Sequence, residues 1–432
     1  MKKWLAIGII LLFVGTCLIP AIAQDTKKPL QTSRGNWLYV GGSGPGNYTR
    51  IQDAIDNASD EDTIFVYCGI YCENLLVNKS GINLVGEDKY STIIDGSGRH
   101  DTIEIVHTDR ININGFTIQN SKDAGILINF RSNNNTISGS IISNNGIGVE
   151  IRSGSGNNNI SGNSFFNNGL FVYDSYQNTI TNNTVNGKNL VFLEGKSDMT
   201  IPVAGQVVLI NCKNIIVKNQ DLSNASFGIE LWNSNDCSIL NNVLNSNNEE
   251  GIIFHYSSRN KIEGNIVSFN KYGISLLDGS CRNTITNNLI MMNDDYGIIL
   301  CTEVNRNIVK KNIISYSDYG IIVYGWHNII CWNNISHNIE QGIYFSDMCL
   351  LNTVILNNFI ENEEHISFDY FILLQKNRFG HNYYDDHLTR LPKKINGYMM
   401  VFTDEYPGIK WINWYNFDWF PAQEPYDIPG MT

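Results

Sequence analysis

A tetrapeptide recurs along this chain at a nearly fixed interval, and no other feature restricts the fold as strongly. Gly228-Ile-Glu-Leu, Gly251-Ile-Ile-Phe, Gly273-Ile-Ser-Leu, Gly297-Ile-Ile-Leu, Gly320-Ile-Ile-Val and Gly342-Ile-Tyr-Phe follow one another every 22 to 24 residues. His365-Ile-Ser-Phe continues the series with histidine in the glycine slot, and Gly125-Ile-Leu-Ile and Gly148-Val-Glu-Ile stand 23 apart upstream. Between these lie two five-residue steps, each opening on asparagine, as in Asn260, Asn265, Asn270 and then Asn283, Asn288, Asn293. A period of this size is the mark of a solenoid, whose repeats bury their apolar faces only against one another. Each repeat holds three runs rich in β-branched residues, too short for helices.

Alternation along a strand says which side chains face the core. One residue after each glycine comes Ile229, Ile252, Ile274, Ile298, Ile321 or Ile343, and two further on Leu231, Phe254, Leu276, Leu300, Val323 or Phe345. Stacked coils turn these files into columns, and the asparagines mark the bends, where stacked side chains bond from coil to coil. The chain is thus expected to be all-β, a single-stranded right-handed parallel β-helix of about 13 coils with three short strands each.

The ends read differently. Lys2 and Lys3, an apolar run from Trp4 to Ile19 and Ala21-Ile22-Ala23 describe a secretory signal peptide over 1–23. Residues 24–62 are expected to carry a capping helix at 48–58, opened by the capping box Thr49-Arg-Ile-Gln52, because an open coil exposes unpaired strand edges. The β-helix is expected over 63–376, with an irregular insertion near 185–204 at Asn186-Gly187-Lys188 and Pro202. An aromatic-rich cap with Trp411, Trp414, Trp419 and Phe420 should close it over 377–432.

Loss of the signal peptide takes the formal charge from −12 to −14, which argues against nucleic acid as a partner. No later segment is long and apolar enough to cross a membrane. Eight cysteines remain, and Cys68 with Cys72, or Cys212 with Cys237, are the candidate disulfides of an exported chain.

The chain resembles the NosD-type family of exported β-helix proteins, whose best-known members are called periplasmic copper-binding proteins. The resemblance rests on Val40-Gly-Gly-Ser-Gly-Pro-Gly-Asn-Tyr-Thr49, Ile51-Gln-Asp-Ala-Ile55, Gly86-Glu-Asp88, Ile93-Ile-Asp-Gly96, Asn183-Thr-Val-Asn-Gly187, Gly205-Gln-Val-Val-Leu209 and Glu424-Pro-Tyr-Asp427. It implies the β-helix fold and export, and copper as a ligand.

Three functions follow. A non-catalytic surface protein that binds a polysaccharide or a cell-surface protein is the favoured one, because outward columns carry Trp232, Ile253, Ile299, Ile322, Tyr324 and Tyr344. A polysaccharide hydrolase or lyase needs positioned carboxylates, and Asp294 with Asp295 is the best candidate pair. Glu249-Glu250 and Glu363-Glu364 resemble it. Copper delivery calls for soft ligands, yet Met199, Met291, Met292, Met348, Met399 and Met400 are scattered, leaving His327 with His337, or Cys349 with Met348, as partial sites. Two residues before the glycines runs an acidic file, Glu249, Asp295, Asp318, Glu340 and Glu363, broken by Lys271. Within it Asp295, Asp318 and Glu340 are candidate Ca²⁺ ligands.

Overall fold

A computed structural model describes residues 35–346, 349–370, 377–402 and 409–428; the expected signal peptide and Met348 lie outside them. The chain coils into a right-handed parallel β-solenoid of about 15 turns with almost no helix. That exceeds the expected 13, because the first coils pair in register without the recurring tetrapeptide, as in Leu38↔Ile64↔Leu84↔Ile113.

Further on the register is the one the repeat dictates. Ile252, Ile274, Ile298, Ile321 and Ile343 stand in line on neighbouring strands, and all are fully buried. Each such side chain contributes about 1.5–3 kcal/mol by leaving water. The glycine slots follow from the stacking, since a Cβ at Gly273 would lie 2.2 Å from the Gly297 carbonyl oxygen of the next coil.

The asparagines form ladders in which the Asn288 Oδ1 accepts from both the main-chain N and Nδ2 of Asn265 at 2.9 Å, and its Nδ2 donates to the Asn312 Oδ1 at 2.9 Å. The ladder residue does not itself take the left-handed conformation. Its predecessor does, at Asn241, Gly264, Asn287, Lys311, Trp332 and Leu356, so the ladder fixes the turn even where a tryptophan or leucine must occupy it.

The core is not one cylinder. Buried side chains from Val40 to Leu190 form one cluster and those from Ile201 to Met399 another. The break comes at the irregular stretch near 185–204, where Val185 and Lys188 pair antiparallel around Asn186-Gly187. One sheet of the first stack ends at Leu170–Val172, and a new sheet starts at Lys188–Glu194. Val208, Ile210 and Trp232 point outward from that new sheet and pack into the first core, while Val207, Leu209 and Leu231 fill their own. The second stack therefore plugs the open end of the first with its flank.

The opposite end of the first stack carries a helix over Ile51–Asn57 with Ile51, Ala54 and Ile55 buried, shorter than the expected 48–58. No capping box forms. Instead the Glu73 carboxylate, one coil on, accepts from the main-chain N of Ile51 at 2.8 Å and of Gln52 at 3.1 Å. At the other end the coils run past 377 to Tyr384, with Asn377 and Asn382 as the last rungs. The buried Asp418 terminates the ladder by accepting from the N and Nδ2 of Asn382, each at 3.0 Å. Asp418 closes a long antiparallel hairpin, Lys393–Phe402 with Ile409–Asp418, whose first strand adds to Glu364–Tyr370. No disulfide links the described cysteines: Cys68 and Cys72 are exposed, and Cys212 and Cys237 buried. No helix among the described residues is long and apolar enough to cross a membrane.

Candidate functional site

The last coils and the terminal hairpin enclose two adjoining cavities of about 820 and 440 Å³, which share Gln341, Glu364 and Asn396. In the smaller one, Tyr344 from the outward column of the sheet faces Tyr398 and Tyr415 from the hairpin. The Tyr344 hydroxyl donates to the Asp369 carboxylate at 2.7 Å. Two buried polar atoms here have no partner, the Gln341 Oε1 and the Ser367 Oγ. Burial pushes the Glu364 carboxyl above its usual range.

The larger cavity holds His365, the residue in the glycine slot. Every glycine below it has a carbonyl of the next coil close over its Cα, as Gly342 has that of His365 at 2.6 Å from a Cβ position. Beyond His365 the pairing with the hairpin begins only at Phe368, which leaves room for a side chain. The imidazole is buried, and its Nε2 lies 2.9 Å from the Asp385 Oδ1 and 3.3 Å from the Asp386 Oδ1. The other oxygen of each carboxylate is held: the Glu361 N donates to Asp385 at 2.7 Å, and the Lys393 Nζ sits 2.6 Å from Asp386. Burial would raise the Asp386 carboxyl, but Lys393 and His365 outweigh it and hold it low. Burial lowers His365 against the pull of Asp386 and Asp385.

Among the described residues these three form the group whose potential metal-ligand atoms converge. The asparagine ladder decides what the group can do. Asn362 is locked, its Oδ1 accepting from the Asn338 N at 3.1 Å and Nδ2 at 2.8 Å and its Nδ2 donating to the Ile335 O at 2.9 Å. That Nδ2 faces the His365 Nδ1 at 3.3 Å as a donor. The Nδ1 must therefore accept, the Nε2 carries the proton, and the imidazole braces the two aspartates without a free lone pair for a metal.

Copper(I) fits no better. Met199 and Met292 are exposed, Met291 and Met400 half-buried, and Met399 is buried in the second core. His327 is exposed, and His337 pairs with Glu361 at 2.9 Å. Among the described residues no three histidine, cysteine or carboxylate side chains converge beyond His365, Asp385 and Asp386, and that group offers copper(I) no soft donor.

The acidic file stacks as expected, but with different partners. Asp294 is exposed and Asp295 half-buried, and neither lines these cavities. Burial, with Asp318 and Glu340 nearby, raises the Asp295 carboxyl, and burial with Glu340 raises Asp318. Glu340 accepts a hydrogen bond from the Tyr319 hydroxyl, which that bond helps push up to about 12. Lys271 pairs with Glu249 at 2.8 Å.

The outward columns are less exposed than alternation implies. Trp232 and Ile253 are 3% exposed and Ile322 8%. Trp232 packs under the first stack, its ring 4.8 Å from that of Tyr173. Ile299, Tyr324 and Tyr344 are half-buried. Sequence reasoning did not find Asp385, Asp386, Tyr398 or Tyr415; the histidine in the glycine slot was a signal for the two aspartates it contacts.

Residues 193–385 match the family described as periplasmic copper-binding protein (NosD), and residues 75–205 match the right-handed beta helix region. No curated protein matches the sequence. Among solved structures the chain is similar to the A-module of the mannuronan C-5 epimerase AlgE4 from Azotobacter vinelandii, at 16% identity and a TM-score of 0.37, over 73% of this chain and 92% of that one. It is similar to a GH136 lacto-N-biosidase from Eubacterium ramulus at 11% identity and 0.28, over 77% and 68%. The Dettilon tailspike protein follows at 13% identity and 0.32, over 81% and 69%. With its in-register coils and these two matching regions, the chain is a right-handed parallel β-helix protein that carries a NosD-type region over residues 193–385.

Proposed function

We propose that this is an exported protein that binds a polysaccharide in the cleft between its last coils and its terminal hairpin. One observation carries the reading: the partnerless Gln341 Oε1 and Ser367 Oγ lie in a cavity walled by Tyr344, Tyr398 and Tyr415. Buried polar atoms are ordinarily hydrogen-bonded, and sugar hydroxyls can supply those bonds while the rings take the apolar faces of the sugar. The outward columns through the half-buried Ile299 and Tyr324 lead away from the cleft along the same sheet, giving a long chain further surface. No catalytic role is needed for this function.

The test is calorimetric binding to a panel of cell-surface polysaccharides by the wild type and a Tyr344→Ala, Tyr398→Ala, Tyr415→Ala variant. Loss of binding in a variant that still melts cooperatively supports the reading, and equal binding by both sinks it. A hydrolytic alternative has one observation behind it, the raised Glu364 carboxyl in the same cleft. Release of reducing ends from a bound polymer would favour it.

A further inference from the structure

We propose that the groove where the two coil stacks meet is a second binding site, shaped for a neutral sugar residue or chain end. The groove has a volume of about 490 Å³ and lies between the outward faces of two sheets. Glu150, Arg152, Phe171 and Tyr173 of the first stack form one side, and Glu250, Ile253, His255 and Tyr272 of the second form the other. Phe171 stacks on Phe227 at 4.4 Å and an interplanar angle of 17°, joining the two sides. Such flat apolar faces suit the C–H face of a pyranose ring.

The polar groups narrow the ligand. The cation that lines the groove, Arg152, is matched with Glu150 at 3.1 Å, and Lys271 next to it with Glu249 at 2.8 Å, so an anionic sugar meets no uncommitted positive charge in the lining. His255 is held through its Nδ1, 2.7 Å from the Asp278 carboxylate. A carboxylate only accepts, so the proton sits on Nδ1 and the Nε2 is an acceptor; that Nε2 is buried and has no partner. The Glu250 carboxyl accepts from the Ser275 hydroxyl at 3.1 Å. Burial, with Glu249 nearby, pushes Glu250 up to about 8, so it keeps its proton at neutral pH and adds a donor instead of a charge. Aromatic faces, an unmet acceptor and balanced charges together describe a site for a neutral polyol. A polyamine would have no uncommitted carboxylate pair, and a uronate would meet Glu150 and Glu249.

The test uses the full exported chain and saturation-transfer NMR with calorimetry. The probes are the neutral disaccharides cellobiose, lactose and diacetylchitobiose, with digalacturonate and spermidine as charged counterparts. The expected result is that at least one neutral disaccharide binds and that Tyr272→Ala weakens it at least about tenfold. The Tyr344→Ala, Tyr398→Ala variant of the terminal cleft should leave that binding unchanged, which separates this site from the one proposed above. Should Tyr272→Ala fail to fold, Phe171→Leu, which stays apolar but removes the ring face, decides in its place by the same weakening. Absence of neutral-sugar binding, binding indifferent to the folded groove variant, or a preference for digalacturonate or spermidine overturns the proposal.

Discussion

The side-chain amide of Gln206 takes over both main-chain groups of Leu170. Its Oε1 accepts from the Leu170 N at 2.9 Å, and its Nε2 donates to the Leu170 O at 2.6 Å. The amide stands where the next coil's peptide would be, and it belongs to a strand that faces the edge of Leu170–Val172 with its flank. Ser226 and Glu230 continue the substitution by accepting from the Gly169 N at 2.8 Å and the Val172 N at 3.3 Å. Unpaired strand edges invite further pairing, and here three side chains from the second stack close one.

Replacement of Gln206 by Leu keeps the volume and removes both bonds. It should destabilise the chain by about 2–4 kcal/mol, because two buried main-chain groups lose their partners. Urea unfolding of the wild type and variant measures this, and a change below about 0.5 kcal/mol would contradict the edge-closing role.

The same junction makes stability depend on pH. Burial, against the Val172 N–H and with Glu250 and Glu150 nearby, pushes Glu230 well above the ordinary 4.5, and Glu250 rises to about 8. Below the unfolded value both states hold these protons, and stability is whole. As pH rises from about 4.5 toward 8 the unfolded chain releases them and the folded chain does not, so stability falls. Melting temperature should therefore decline across that window, and Glu230→Gln with Glu250→Gln should flatten the decline. Parallel profiles for wild type and variant would refute it.

Asn288 and Asn287 are adjacent and should respond in opposite ways. Asn288 is buried; its Oδ1 accepts twice from Asn265, and the two hydrogens of its Nδ2 are shared among the Ile262 O, Thr286 O and Asn312 Oδ1. Its replacement by Ala should cost about 3–5 kcal/mol. Asn287 is exposed at a φ of 55°, where glycine is at ease, so Asn287→Gly should change stability by less than about 0.5 kcal/mol. Paired denaturation curves compare them, and equal effects would place the bend's energy elsewhere.

Gly273 and Gly279 separate stacking from backbone freedom. A methyl group at Gly273 meets the Gly297 O at 2.2 Å, a main-chain atom that moves only if the coils part. Gly273→Ala should therefore destabilise by more than about 3 kcal/mol. Gly279 has a φ of +73° and nothing within 4 Å, so Gly279→Ala should cost about 1–2 kcal/mol. A thermal-shift comparison of the two variants is sufficient, and the reverse order would overturn the reading of the glycine slots.

The sequence alone determined the coil. A period of 22 to 24 residues brings each residue beside its equivalent one turn away, so the inward isoleucines, the asparagine ladders and the glycine slots are all statements about nearest neighbours. For the same reason the acidic file and its interruption by Lys271 stack where they were read. Contacts that do not obey the period were left to the tertiary structure. The Asn248 Nδ2 donates to the main-chain O of Asn145, 103 residues away, and Trp232 packs against Tyr173, which lies several coils earlier in the chain. Nothing in a local repeat records that the second stack lies against the end of the first. Alternation distinguishes inward from outward, but only the packing of the two stacks and the terminal hairpin decides which outward residues keep their water. That packing buries Glu230 and Glu250, because side chains far apart in sequence share one low-dielectric space only after the chain has turned back on itself.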